Sequence, residues 1–83
     1  MMCSYEYNPK DFQEMPLMEE YMMAFYEAYE AYKKEDNNTT YFALDRAGQD
    51  LFFAIKHREV EGWLSPAKTD ELYEYFFGRL LND

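Results

Sequence analysis

Cysteine and histidine are nearly missing from this chain, which holds one of each, Cys3 and His57. A single cysteine excludes an intramolecular disulfide and fits a reducing compartment. One Cys and one His, without CxxC or HExxH spacing, leave too few ligands for structural zinc. Glycine is scarce as well, and Gly48, Gly62 and Gly78 stand isolated. There is no glycine-rich loop to cradle phosphates, and no stretch alternates acids about a central glycine as a calcium loop does. Apolar runs stay far short of the roughly 20 residues that span a bilayer. The opening MMCSYEYNPK lacks the basic start and apolar stretch of a secretion signal, so a cytoplasmic location is expected. Basic residues are the last shortage, with eight Lys and Arg against 17 Asp and Glu, a net charge of −9. Direct contact with DNA or RNA needs Lys and Arg on phosphates and is therefore disfavoured. An anionic membrane surface is disfavoured for the same reason. No metal and no cofactor is expected.

What the chain has in quantity is aromatic side chains, with nine Tyr, seven Phe and one Trp among 83 residues. That length allows one domain, residues 1–83, with a modest core that aromatics enlarge. The longest helical signal is Pro16 to Glu35. Pro16 suits a first helical position. Met18, Met22, Phe25, Tyr29 and Tyr32 then recur at alternating spacings of 4 and 3, one face of a helix. Leu17, Tyr21, Ala24, Ala28 and Ala31 repeat the pattern one residue earlier. The alanines imply close approach of another helix on their side.

A second helix, residues 46–61, is predicted with Asp45 as N-cap and Gly62 as C-cap. Gly48, Leu51, Phe52 and Ile55 give it one apolar face, and Phe53, His57 and Val60 a narrower second one. His57 reads as a packed or rim histidine within reach of Glu61, one turn on. A third helix, 66–81, starts at a Ser65 cap with Pro66 behind it. Leu72, Phe76 and Leu80 form its apolar row, flanked by Tyr73 and Phe77. Asn8-Pro9 reads as a cap and start for a short helical turn ahead of Pro16. The predicted fold is all-α, a small three-helix bundle. The alternative is a small α+β domain in which residues 2–7 and 39–44, both of alternating pattern, form a two-stranded ribbon.

Candidate functional residues follow from charge. Residues 1–32 hold seven acids and one base, 33–58 four acids and five bases, and 59–83 six acids and two bases. Two acidic ends flank a near-neutral middle. Glu19, Glu20, Glu27 and Glu30 share the polar face of the first helix, with Met23 among them and Tyr26 at their edge. Part of this is ordinary helix electrostatics: Glu19 and Glu20 suit an N-terminus, and Glu30 can pair with Lys34. Glu27 and Met23 have no such explanation. Asp70, Glu71 and Glu74 make a second acidic cluster. Trp63 lies at a helix end beside Glu59 and Glu61, either closing the core or standing out as an anchor for a partner.

No nucleophile stands beside a base, and carboxylates without an enclosing pocket do not make an acid–base pair. A non-enzymatic role is expected. The acidic helical faces suit a basic protein partner, one that itself binds nucleic acid, because carboxylates on rigid helices can imitate phosphate rows. In size and charge the chain resembles small acidic inhibitors of phages and mobile elements, such as anti-CRISPR and anti-restriction proteins, although no motif joins it to a family. The competing expectation is a structural or accessory module that forms homodimers through a Leu17–Tyr32 stripe too wide for one small core.

Overall fold

The computed structural model describes residues 5–81. It is an all-α three-helix bundle: α1 Met18–Lys34, α2 Asn38–Val60 and α3 Pro66–Glu74. A 3-10 turn, Pro9–Phe12, precedes α1, and a π-helical turn, Tyr75–Arg79, continues α3. Among the described residues there is no strand. Residues 39–44 lie inside α2 and 5–7 form a bend, which removes the ribbon; residues 1–4 fall outside the described part.

The 3-10 turn is set by Asn8, whose side chain accepts from the Lys10 amide at 3.0 Å. Phe12 from this turn is buried. The predicted start of α1 moves by two residues. Pro16 is not its first residue; Leu17 takes a left-handed conformation, φ 63°, and the helix begins at Met18. A tertiary contact explains the shift. The Arg58 guanidinium, arriving from α2, donates to the Pro16 carbonyl, and the chain must turn sharply after presenting that oxygen. Arg58 is buried, and its Nε also pairs with Glu61 at 3.0 Å. Glu61 therefore serves Arg58, and His57 is exposed on α2.

The second correction is larger. α2 begins at Asn38 rather than beyond Asp45, because Asn37 and Thr40 form a reciprocal cap. The Asn37 side chain accepts from the Thr40 amide at 2.9 Å, and the Asn37 amide donates to the Thr40 hydroxyl at 3.1 Å. That hydroxyl also donates to the Glu35 carbonyl at the end of α1. Two orphan amides are satisfied at once, and the turn between α1 and α2 is fixed. Asp45 is an ordinary helical residue that accepts from Gln49 Nε2 at 3.1 Å.

α2 ends as Gly62 predicts. The Trp63 amide donates to the Arg58 carbonyl at 2.8 Å and the Gly62 amide to Glu59 at 3.1 Å, with Gly62 at φ +91°. These two bonds are a Schellman ending. α3 starts on Ser65, which accepts from the Lys68 amide at 3.1 Å. Its predicted extent to residue 81 holds as a direction, but the regular helix stops at Glu74. One extra residue is then accommodated, with the Leu80 amide reaching back to Tyr75 at 2.8 Å.

The core is aromatic and thioether. Met18, Met22, Phe25, Leu51, Ile55, Leu72 and Phe76 have no exposed surface. Phe25 meets Phe76 edge to face at 5.5 Å and Phe77 at 5.8 Å. Gly48 lets the Phe25 ring lie close to the α2 backbone; a Cβ there would sit 3.5 Å from the ring. The alanine side of α1 is packed only in part: Tyr21 and Ala28 lie against the core, while Ala24 and Ala31 are exposed.

The glycines make opposite tests. Gly62 has open space but positive φ, so Gly62→Ala is expected to cost about 1–2 kcal/mol. Gly48 has ordinary helical geometry and room for a methyl group at contact distance, so Gly48→Ala is expected to stabilise by up to about 1 kcal/mol. Urea unfolding of the two variants measures both signs.

Candidate functional site

Two surfaces compete for a functional role: the acidic one expected on α1 and an aromatic groove beside α2. On α1, Glu20, Met23, Glu27 and Glu30 are all exposed, and their spacings of 3, 4 and 3 place them on one stripe. Glu19 is half-buried, toward the edge of that stripe. Tyr26 does not belong to it. It is buried with Phe76 at 5.5 Å, and its hydroxyl donates to the Tyr7 carbonyl at 2.8 Å.

Tyr7 and Tyr5 explain why. The segment from Tyr5 to Phe12 lies along α1 and α3 and is fastened by tyrosines. Tyr5 stacks on Tyr26 at 3.9 Å and donates its hydroxyl to Glu30. The Tyr7 hydroxyl donates to Glu71 at 3.4 Å, while Lys68 lies over the Tyr7 ring at 4.9 Å. The Glu6 amide donates to the Tyr75 hydroxyl at 3.1 Å, and the Glu6 carboxylate pairs with Arg79 at 3.0 Å. Glu30 and Glu71 thus carry structural hydrogen bonds, which leaves Glu20, Met23 and Glu27 as the freer part of the expected surface.

The remaining expected residues scatter. Glu61 is held by Arg58. Trp63 is exposed and borders a depression of about 600 Å³ shared with Asp11, Phe12, Leu64 and Lys68. Glu74 is exposed on α3. Glu59 on α2 and Asp70 on α3 lie on different helices, and the charges of both act on Tyr73, whose ring stacks on Phe52 at 4.8 Å.

That stack opens onto the surface the sequence reading missed. A groove of about 460 Å³ runs between α2 and the π-turn. Phe25 and Leu44 are part of its lining, and Tyr41, Phe52, Phe53, Phe77 and Leu81 make up most of the rest. Gly48 opens it, and Asp45 and Gln49 are its polar groups. Tyr41, Phe52, Phe53 and Leu81 are exposed. Phe42, outside the groove, is 65% exposed and Val60 77%. The pair Phe53 and Val60, expected to pack, therefore faces outward. A signal existed: α2 carries more apolar positions than one helix face buries. The strand-like alternation of residues 39–44 hides it, because it separates Tyr41 and Phe42 from the helix.

No protein-family model, curated protein or solved structure matches this chain. No helix among the described residues is long and apolar enough to cross a membrane. Among the same residues no three His, Cys, Asp or Glu side chains are grouped to hold a metal ion.

The tyrosines have a measurable consequence. Burial and the Glu30 hydrogen bond push the Tyr5 hydroxyl well above its ordinary value of 10.0. Tyr7 is raised by burial and Glu71, Tyr73 by burial with Glu59 and Asp70, and Tyr32 by the charge of Asp36. The unfolded chain ionises these groups near pH 10.0, before the folded chain does. Folding then retains more protons, so the stabilisation is complete below pH about 10 and is lost as pH rises through the folded values. Urea midpoints should fall steadily above about pH 10, together with tyrosinate absorbance, and Tyr5→Phe should soften the fall. A midpoint flat through tyrosine ionisation overturns the assignment.

Proposed function

We propose that the protein is a non-enzymatic binding module whose acidic surface occupies the basic groove of a nucleic-acid-binding protein, as an inhibitor or regulator. One observation carries the reading. Glu20 and Glu27 stand exposed on one stripe of α1 with Glu30, over about 15 Å of helix. The helix is a rigid mount, capped at its end by the α1–α2 turn and packed through Met18, Met22, Phe25 and Tyr29. Carboxylates held in this way present negative charge at spacings that a row of Lys and Arg can meet without ordering a loop first. Glu30 already accepts from Tyr5, and its remaining lone pairs stay available to a guanidinium.

The net charge of −9 supports the same reading through association kinetics. A strongly acidic surface steers a basic partner and repels nucleic acid, so the protein and nucleic acid compete for one site on the partner. The action proposed is occlusion, with no covalent step.

Charge reversal tests this. Glu20→Lys, Glu27→Lys and Glu30→Lys combined are expected to weaken retention of basic nucleic-acid-binding proteins by about tenfold or more, with helicity unchanged by circular dichroism. The wild-type complex should weaken with salt and yield to competing DNA or RNA. Retention by the triple variant at wild-type strength, insensitive to salt, would mean that the α1 acids are only solvated.

A further inference from the structure

We infer that the aromatic groove beside α2 is a docking site for a cationic amphipathic helix of a partner protein. It shares no residue with the α1 stripe, so this inference and the proposed function can fail separately.

The groove has the shape such a ligand needs. From Tyr41 to Phe53, α2 advances about 18 Å, a little over three helical turns. A docking helix that places apolar anchors at i, i+4, i+7 and i+11 spans about the same distance. Its floor is apolar, supplied by Phe25, Leu44 and Phe77, and Gly48 removes the one side chain that would raise it. The π-turn supplies the other wall, which holds Phe77 edge to face with Phe52 at 6.0 Å. A peptide that binds by adding a strand would need an unpaired strand edge, and the described residues have no strand.

Charge decides the kind of helix. Asp45 stands within the groove. At one end Asp36 acts on Tyr32, whose ring lies 6.3 Å from Tyr41. At the other end Glu59 and Asp70 act on Tyr73, stacked against Phe52. Two bases lie on this side of α2: Arg46, exposed beside Asp45 and two turns before Phe53, and Lys56, one turn past Phe52, which borders the neighbouring depression with Phe53. The four acids, Asp36, Asp45, Glu59 and Asp70, outnumber these two bases. An apolar stripe flanked by Lys or Arg is complementary to that arrangement, and an acidic helix is not. A second copy of this chain fits poorly, because each copy brings −9 and the same acidic rim.

The test uses a designed, fluorescently labelled helix of about 18 residues, with Leu on one face and Lys on the other, and a counterpart in which Glu replaces every Lys. Anisotropy should show binding of the Lys helix only. Phe53→Ser removes an exposed aromatic without changing charge, and should weaken binding about tenfold. Asp45→Lys with Asp70→Lys should also weaken it and flatten its salt dependence. Glu20→Gln, Glu27→Gln and Glu30→Gln together should weaken it less than Phe53→Ser. Equal binding of Phe53→Ser and wild type overturns the inference, because the peptide would then be held by bulk charge. Equal binding of the Lys and Glu helices overturns it too. So does a Phe53-dependent dimer in sedimentation, which would mean that a second copy covers the groove.

Discussion

The edge-to-face contact between Phe25 and Phe76 is the joint on which the bundle turns. Both rings are fully buried, one from the middle of α1 and one from the π-turn after α3. Around them α2 closes through Gly48, whose missing side chain admits the Phe25 ring. Tyr26 then packs on Phe76 from α1, and Tyr5 stacks on Tyr26 from the N-terminal segment. The aromatic edges and faces supply direction as well as buried area, which a core of branched aliphatics in so short a chain would lack. The tyrosine tips are tied off: the Tyr26 hydroxyl donates to the Tyr7 carbonyl, the Tyr29 hydroxyl donates to the Leu80 carbonyl, and the Tyr75 hydroxyl accepts from the Glu6 amide.

Much of the fold was legible because helix faces and caps are local. The 4-3 spacing of Met18, Met22, Phe25 and Tyr29 names the α1 core, Leu72, Phe76 and Leu80 name that of α3, and Gly62 and Ser65-Pro66 mark the end of α2 and the start of α3. The errors arose where a distant residue decided. Arg58 determines what Pro16 does, and nothing near Pro16 announces it. Thr39 to Leu44 alternates as a strand would, yet Thr40 is the third residue of a capped helix. β-Branched and aromatic preference is weak against a reciprocal cap and a packed face. That one boundary also hides the groove, because the alternating pattern separates Tyr41 and Phe42 from the helix to which Phe52 and Phe53 belong.

The acids show the same division. Their abundance was plain, but abundance did not separate those that work inside the protein from those that face outward. Glu30, Glu71, Glu6 and Glu61 each hold a hydroxyl or a guanidinium of their own chain. Glu59 and Asp70 border a tyrosine at the groove. Glu20 and Glu27 are what remains of the α1 face after those are taken out. The −9 charge is therefore not one patch. It is a general field with two surfaces, one carboxylate-rich and one aromatic, able to use it.

The tyrosine-fastened segment has a bearing on how the molecule is made. Glu6 is joined to Tyr75 and Arg79, and Tyr7 to Glu71, partners that lie 64 to 73 positions later in the chain. During synthesis the first of these residues leaves the ribosome long before the last. α1 and α2 can pair early, because their turn is short and capped. Tyr5 can already lie on Tyr26 and Glu30 of α1, but Glu6 and the Tyr7 hydroxyl have to wait until α3 and the π-turn are made. Fastening of Glu6 and Tyr7 thus follows the formation of α3 and the π-turn, and an interruption in that helix leaves this part of the opposite end unfastened.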